Sequence, residues 1–233
     1  MGVKIYKAKI AHAELIAEDV HKLNVPLNEG EMIDFQAGQF VNLRVSQEAR
    51  RSYSIASTPS YNTGIDLIAD SVIGGPGSQF FSNAKTGDEV EFLGPLGNFF
   101  YIEEKKPAYF FATGTGVVPF ISMIGHALET IGTKREIKLF LGFRHQRNIF
   151  YQDYFENLAR KFPNFELLLT LSRPEDDWMG NRGRITEHYL NIVQQDPNFS
   201  GYLCGSRAMI DEVVLNLTNA GVAKEDIHYE QYY

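Results

Sequence analysis

A single cysteine, Cys204, is all that the 233 residues contain. One thiol excludes an intrachain disulfide, a cysteine-ligated zinc site and a four-cysteine iron-sulfur cluster, and no metal centre is expected. No apolar run reaches the roughly 18 to 20 residues that span a bilayer, and the N-terminus carries no secretory signal pattern. A cytoplasmic protein without a membrane span is therefore expected. Long blocks of like charge are missing too. The 22 basic and 29 acidic residues are spread along the chain for a formal net charge of −7. That balance argues against a nucleic-acid scaffold while leaving room for a local basic patch that serves an anionic ligand. Repeats and low-complexity tracts are absent, and a 44% apolar content rules out a disordered or fibrous chain. The length allows one large domain or two of ordinary size.

The two halves differ in pattern. Residues 3 to 102 read as short strands at Val3 to Ile10, Val20 to Leu27, Gln39 to Val45, Ser52 to Ser57, Ile65 to Val72 and Glu89 to Leu93, separated by glycines and prolines. Six short strands with one brief helix, Ser78 to Ala84, predict a small antiparallel β-barrel. After Glu103-Glu104-Lys105-Lys106-Pro107 strands and helices alternate. Strands are expected at Ala108 to Ala112, Ile137 to Gly142, Glu166 to Leu171, Tyr202 to Cys204 and Asp226 to Tyr229. Helices are expected at Pro119 to Ile131, Tyr151 to Lys161, Ile185 to Val193 and Arg207 to Asn219. This is the pattern of an α/β domain with a mostly parallel sheet. The expected division is a barrel domain over 1–104 and an α/β domain over 105–233.

Four stations carry the chemistry. Arg51-Ser52-Tyr53-Ser54 lies in a predicted strand, so Arg51 and Tyr53 share a face about 7 Å apart while Ser54 projects to the other. Such a segment can touch both the phosphates and the ring system of a large cofactor, although it also describes an ordinary barrel surface. Gly74-Gly75-Pro76-Gly77-Ser78 feeds a helix whose exposed N–H groups can hold a phosphate. It is equally a tight turn with Ser78 as a helix cap. Gly94-Pro95-Leu96-Gly97 reads first as a structural turn. Gly114-Thr115-Gly116-Val117-Val118-Pro119 stands between a strand and a helix, where ligands bind in open α/β sheets, although it lacks the three-glycine dinucleotide pattern. Arg144 and Arg173 each follow a strand end, and with Arg147, Arg182 and Arg184 they favour an anion pocket. Glu175, Asp176 and Asp177 weaken that case locally.

In this order, over nearly the whole chain, these residues resemble the ferredoxin-NADP reductase superfamily of flavin-dependent pyridine-nucleotide reductases. The resemblance implies FAD and NADPH or NADH as cofactors, with a slight lean towards NADPH. It implies that Arg51 contacts the flavin pyrophosphate, Tyr53 packs on the isoalloxazine and Ser54 hydrogen-bonds near N5. Gly77 and Ser78 match the second phosphate station. Gly114, Thr115 and Gly116 match the nicotinamide-nucleotide loop, with Arg144 among the nucleotide phosphate contacts. Ser172 and Arg173 match a pair that binds the extra phosphate of NADPH, while Trp178, Gly180 and Gly183 resemble a loop also found in NADH-using relatives. Cys204 matches the cysteine near the nicotinamide, otherwise a small buried hydrophobe. Glu230 matches a glutamate on the proton path, and Tyr232 or Tyr233 the ring that covers the flavin. The implied activity is hydride transfer between NAD(P)H and FAD, then electron transfer to a separate small redox protein such as ferredoxin or flavodoxin. The alternatives are an NAD(P)H:flavin reductase or a non-catalytic flavin-binding electron-transfer subunit of a larger complex.

Overall fold

The computed structural model describes residues 2–72 and 74–231. By contact the chain divides into two compact units, Met1–Tyr101 with Val118–Ile131, and Ile102–Val117 with Gly132–Tyr233.

The first unit holds β1 (Lys4–Lys9), β2 (His12–Ala17), β3 (Val20–Pro26), β4 (Phe40–Arg44), β5 (Arg50–Ser54), β6 (Gly64–Asp70), α1 (Pro76–Asn83) and β7 (Glu89–Leu96). They form two antiparallel sheets, ordered β1-β7-β4-β5 and β2-β3-β6. Alternation builds them. In β1 Tyr6 and Ala8 are buried between exposed Lys7 and Lys9, and Tyr6 stacks on Phe92 of β7 at 5.0 Å between ring centroids. Leu23 and Val25, Val41 and Leu43, Ile65 and Leu67 join them in one core that draws on both sheets. Two features depart from the sequence reading. Strand β2 was not expected, because none of its six side chains is fully buried and no apolar alternation marks it. Gly94 to Leu96, read as a turn, instead extends β7, and Gly94 lies flat against Val41 of β4, whose side chain a Cβ would meet at 2.8 Å.

The segment Val118–Ile131 is α2 (Val118–Gly125) followed by a π-helical turn, His126–Ile131. All eight residues of α2 are buried. A helix apolar all round cannot lie on a surface with one face in water. It packs against the barrel half: Phe120 meets the Phe99 ring at 6.0 Å, and the Ser122 hydroxyl donates to the Ser57 carbonyl at 2.7 Å. Although the expected boundary at residue 104 precedes this helix, its packing partners are residues of the barrel half.

The second unit is an α/β layer of β8 (Ala108–Thr113), β9 (Ile137–Phe143), α3 (Gln152–Lys161), β10 (Phe165–Leu171), β11 (Asn181–Arg182), α4 (Thr186–Gln195), β12 (Ser200–Gly205), α5 (Arg207–Ala220) and β13 (Ile227–Gln231). The sheet order is β11-β10-β9-β8-β12-β13 with every neighbouring pair parallel. The central strands are buried nearly end to end, as parallel strands with helices on both faces require. Phe111 stacks on Phe140 at 5.1 Å with Tyr189 of α4 edge-on. From β8 the chain builds outward through β9 to β10, then returns to the other side of β8 with β12. The strand order therefore reverses between β8 and β12.

At the amino ends of these strands lies a closed ionic network. The Arg135 side chain, 1% exposed, donates to the carbonyls of Ile102 and Pro107 at 2.8 and 3.0 Å and faces Glu104 at 3.5 Å. Lys106 pairs with Asp226, and Ser200 donates to Glu104. Among the described residues no helix is long and apolar enough to cross a membrane.

Candidate functional site

Each unit carries one set of the expected residues. In the first unit β5 pairs with β4 so that Arg51 stands opposite Leu43, Tyr53 opposite Val41 and Ser54 opposite Phe40. Ser54 is buried at 3% exposure, Arg51 is exposed and Tyr53 lies between. The Tyr53 ring rests on Phe81 of α1 at 4.7 Å. Burial pushes its phenol up to about 12, against an opposing pull from the Arg51 charge, so it is a protonated donor at neutral pH.

The start of α1 meets β5 here. A Cβ on Gly77 would overlap the Tyr53 hydroxyl and sit 3.5 Å from Cγ of Arg51. Glycine lets the helix backbone come this close to the Tyr53 hydroxyl, while Arg51 lies at ordinary contact distance. The N-cap residue is Gly75 with no side-chain cap, and the first turn carries no acidic residue. Uncapped N–H groups at a helix start, Ser78 in the same turn and the stem of Arg51 alongside, its guanidinium donating to the Arg50 carbonyl at 2.8 Å, make an arrangement that suits a phosphate. The two readings left open for Gly74 to Ser78 are thereby narrowed, since Ser78 lies inside the helix and does not cap it.

In the second unit the loop Gly114–Val117 forms a 3-10 turn directly after β8, at the reversal point of the sheet. Gly114 has φ of +55°, and a Cβ on Gly116 would lie 2.6 Å from both the Cys204 carbonyl carbon and the Gly205 Cα. Thr115, between them, is half-buried. Cys204 is fully buried in β12, in register with Ala112 of β8 and Glu230 of β13, and Glu230 is half-buried. Gly114, Thr115, Gly116, Cys204 and Glu230 thus gather at the carboxyl ends of three adjacent strands. Glycine-lined backbone at such a place can approach a pyrophosphate closely.

The same edge continues past β9 and β10. The Ser172 N–H donates to the Phe143 carbonyl at 3.0 Å, and the Arg173 N–H to the Arg144 carbonyl at 2.8 Å. These bonds carry the parallel ladder one step beyond the strands and bring Arg144 beside Arg173. Both arginines are exposed, and among the described residues they are the ones whose guanidinium groups make no hydrogen bond or ion pair. Of the other three arginines expected in an anion pocket, Arg147 pairs with Glu175, Arg184 with Glu212, and Arg182 donates to the carbonyls of Glu175, Asp176 and Trp178. Of the five arginines, Arg144 and Arg173 are thus the two whose guanidinium groups have no partner among the described residues. Trp178 donates its indole N–H to the Asn181 carbonyl, and the Gly183 N–H donates to Leu171, so these residues shape the loop that follows β10. Tyr232 and Tyr233 lie outside the described residues.

Sequence reasoning passed over Gln146 as a functional candidate and read Glu175 only as local negative charge. They stand 29 positions apart with no motif to join them, yet each donates its backbone N–H to the other's side chain at 3.2 Å.

The residues fit both groups that the fold would hold, an FAD pyrophosphate at the β5–α1 junction and a pyridine nucleotide along the carboxyl ends of the parallel strands. Comparison with known proteins agrees. Residues 7–101 match the oxidoreductase FAD-binding domain family and residues 110–214 the oxidoreductase NAD-binding domain family. The chain is 31% identical to ferredoxin-NADP reductase B of Sorangium cellulosum over 238 residues, covering 97% of each chain. It is 33% identical to the reductase component of a phenol 2-monooxygenase from Pseudomonas sp. (strain CF600), over 99% of this chain and 66% of that one. The fold is shared with a ferredoxin NADP+ reductase from Neisseria gonorrhoeae, with a TM-score of 0.83 at 20% identity over 99% of both chains. The FAD/NAD-binding domain of a Vibrio cholerae nitric oxide dioxygenase gives 0.87 at 21% identity, over 97% of this chain and 98% of that one. With both family halves in sequence order on one chain, the protein belongs to the ferredoxin-NADP+ reductase superfamily and is a flavin-dependent oxidoreductase that works between NAD(P)H, bound FAD and a further acceptor.

Proposed function

We propose that this chain is a ferredoxin- or flavodoxin-NAD(P)H reductase of the cytoplasm that uses NADPH in preference to NADH. The observation that carries the flavin half is the contact of Gly77 with Tyr53 and Arg51, which places an uncapped helix start beside a cation and a half-buried aromatic ring. Bound FAD would supply the chemistry the side chains lack, accepting a hydride from the nicotinamide and delivering electrons one at a time. The protein's part is holding and proton handling. Arg51, Gly77 and Ser78 hold the pyrophosphate, Tyr53 packs on the isoalloxazine and the buried Ser54 hydroxyl holds a proton near N5. Gly114, Thr115 and Gly116 hold the coenzyme pyrophosphate. Cys204 shapes the nicotinamide pocket without a covalent role, and Glu230 serves the proton path. Ser172, Arg173 and Arg144 read the 2'-phosphate, because two exposed arginines on residues joined by a backbone hydrogen bond, with no partner for their guanidinium groups among the described residues, offer planar, bidentate donors. The name of the Sorangium relative supports ferredoxin as acceptor class.

The test is an anaerobic titration of purified protein loaded with FAD. The yellow flavin spectrum is expected to bleach on adding NADPH, and catalytic NADPH to reduce a ferredoxin or flavodoxin over many turnovers. A chain that takes up no FAD, or whose flavin neither coenzyme bleaches, ends this reading. Bleaching without turnover on any soluble carrier would instead favour an electron-transfer subunit.

A further inference from the structure

The loop after β10 is acidic, with Glu175, Asp176 and Asp177 following Arg173. Negative charge beside a phosphate site would ordinarily oppose NADPH. The contacts of Glu175 point elsewhere. Its Oε2 accepts the Gln146 N–H at 3.2 Å, and its own N–H donates back to the Gln146 side-chain carbonyl at 3.2 Å. The other oxygen faces Arg147 at 3.5 Å and His145 at 3.7 Å. The Gln146 amide also donates to Asp177 at 3.2 Å. The N–H of Gln146 is the main reason the Glu175 carboxyl sits below the usual carboxylate range, with His145 and Arg147 adding to it. Behind it Arg182 donates to three carbonyls of the same loop. Glu175 is thus bound up with the loop that follows β9, and Arg144 and Arg173 stand at the roots of the two loops so joined.

We propose that Glu175 is a positioning residue for coenzyme choice: with Gln146 it clips the loop after β10 to the loop after β9, presetting Arg144 and Arg173 as a pair for the 2'-phosphate. The inference rests on the reading that this pair faces the 2'-phosphate. Its physical content is preorganisation. An arginine on a loop gives up backbone and rotamer freedom when it binds, and a loop fixed beforehand gives up less. The pairing also keeps Arg147 on Glu175, so the carboxylate is matched internally and Arg144 and Arg173 remain available.

The test uses two variants, one that changes the charge and one that does not, and compares two small probes by titration calorimetry on the full chain, adenosine 2',5'-bisphosphate and 5'-AMP. Glu175→Ala removes the bond from the Gln146 N–H and a negative charge; Gln146→Ala removes the reciprocal bond from the Glu175 N–H, with the amide contact to Asp177, and leaves the charge. Both are expected to weaken the bisphosphate by about threefold to tenfold relative to 5'-AMP, the loss of part of one charge-assisted contact. The ratio of NADPH to NADH specificity should fall in parallel, through KM. Tighter bisphosphate binding by Glu175→Ala with no change in Gln146→Ala would mean that Glu175 acts as a repelling charge, and the proposal would be overturned. No change in either variant overturns it as well. Arg173→Ala separates this from failure of the underlying reading: equal weakening of both probes in that variant would show that the pair does not read the 2'-phosphate, and would remove the clip's role with it.

Discussion

The two ends of the parallel sheet handle positive charge in opposite ways. At the amino ends Arg135 and Lys106 are enclosed by carbonyls and carboxylates from the segments that enter β8, β9, β12 and β13. At the carboxyl ends Arg144 and Arg173 stand exposed, their guanidinium groups without a partner among the described residues, on the same edge as a glycine turn that presses on β12. The residue types are the same and the surroundings decide their use. A cation paired from within the fold contributes to holding strands in register. One left over at the carboxyl edge of an α/β sheet is available to a ligand. If this division is real, substitutions of the amino-end cations should change stability and spare coenzyme choice, and those of Arg144 or Arg173 should do the reverse.

The largest effect is expected at the amino end. Arg135→Ala leaves the Ile102 carbonyl without its guanidinium donor, takes from the Pro107 carbonyl one of two donors and deprives Glu104 of its buried partner, a loss of roughly 3–5 kcal/mol for breaking such a network. Urea unfolding should show it as a lower midpoint. A midpoint within error of wild type would mean the network contributes nothing and would break the comparison. Next in size is Gly116→Ala. Its Cβ would meet backbone on β12, which cannot swing aside, so overpacking of about 1–3 kcal/mol is expected together with weaker binding of either coenzyme. The contrast is Gly77→Ala, where the obstacle is the end of the Tyr53 side chain, and Tyr53→Phe in the same chain should relieve part of the clash. Thermal unfolding of the three variants checks the order.

Coenzyme choice comes third. Arg173→Ala is expected to raise KM for NADPH about tenfold, the equivalent of one charge-assisted hydrogen bond, with a much smaller change for NADH and an unaltered unfolding midpoint. Steady-state kinetics with both coenzymes measures it, and equal losses would show the exposed pair to be surface charge.

Most of this architecture was legible in the residues, for identifiable reasons. The buried parallel strands announce themselves as apolar runs such as Ala108 to Ala112, and Pro119 marks the first turn of α2. What escaped lies in long-range contacts. That α2 is buried on every side follows from its apolar residues, a feature the sequence displays, but Phe99 and Ser57 of the first unit as its partners do not follow from any spacing. Strand β2 escaped because it is held by backbone pairing with β3 while its side chains stay largely in water. Among the candidate residues, the glycines were found because close approach leaves a mark in composition. The reduction of five arginines to two was not, because it depends on where Glu175, Glu212 and three loop carbonyls happen to lie.

The smallest expected effect probes the amino end by pH. His228 of β13 stacks on Tyr202 of β12 at 5.0 Å. Burial holds its imidazole below the ordinary 6.5, with Lys106 adding to this and Asp226 and Glu104 opposing it. The folded chain therefore resists protonating a histidine that the unfolded chain protonates freely near 6.5. Above that pH both states carry the neutral ring and the contribution to stability is complete; as pH falls below it, the unfolded state binds the extra proton and stability declines until the folded pKa is reached. His228→Gln removes this dependence, so the difference in unfolding free energy between wild type and variant should shrink or reverse between pH 7.5 and pH 5, values chosen to span about a unit or more around the free histidine. Affinity for adenosine 2',5'-bisphosphate should show no such difference between the two proteins, because His228 sits at the end of the sheet where charge serves the fold. Parallel stability curves would mean that the ring titrates as freely in the folded chain as in the unfolded one. A pH-dependent difference in ligand affinity would show instead that the two ends of the sheet are energetically coupled, and the division of labour between them would fail.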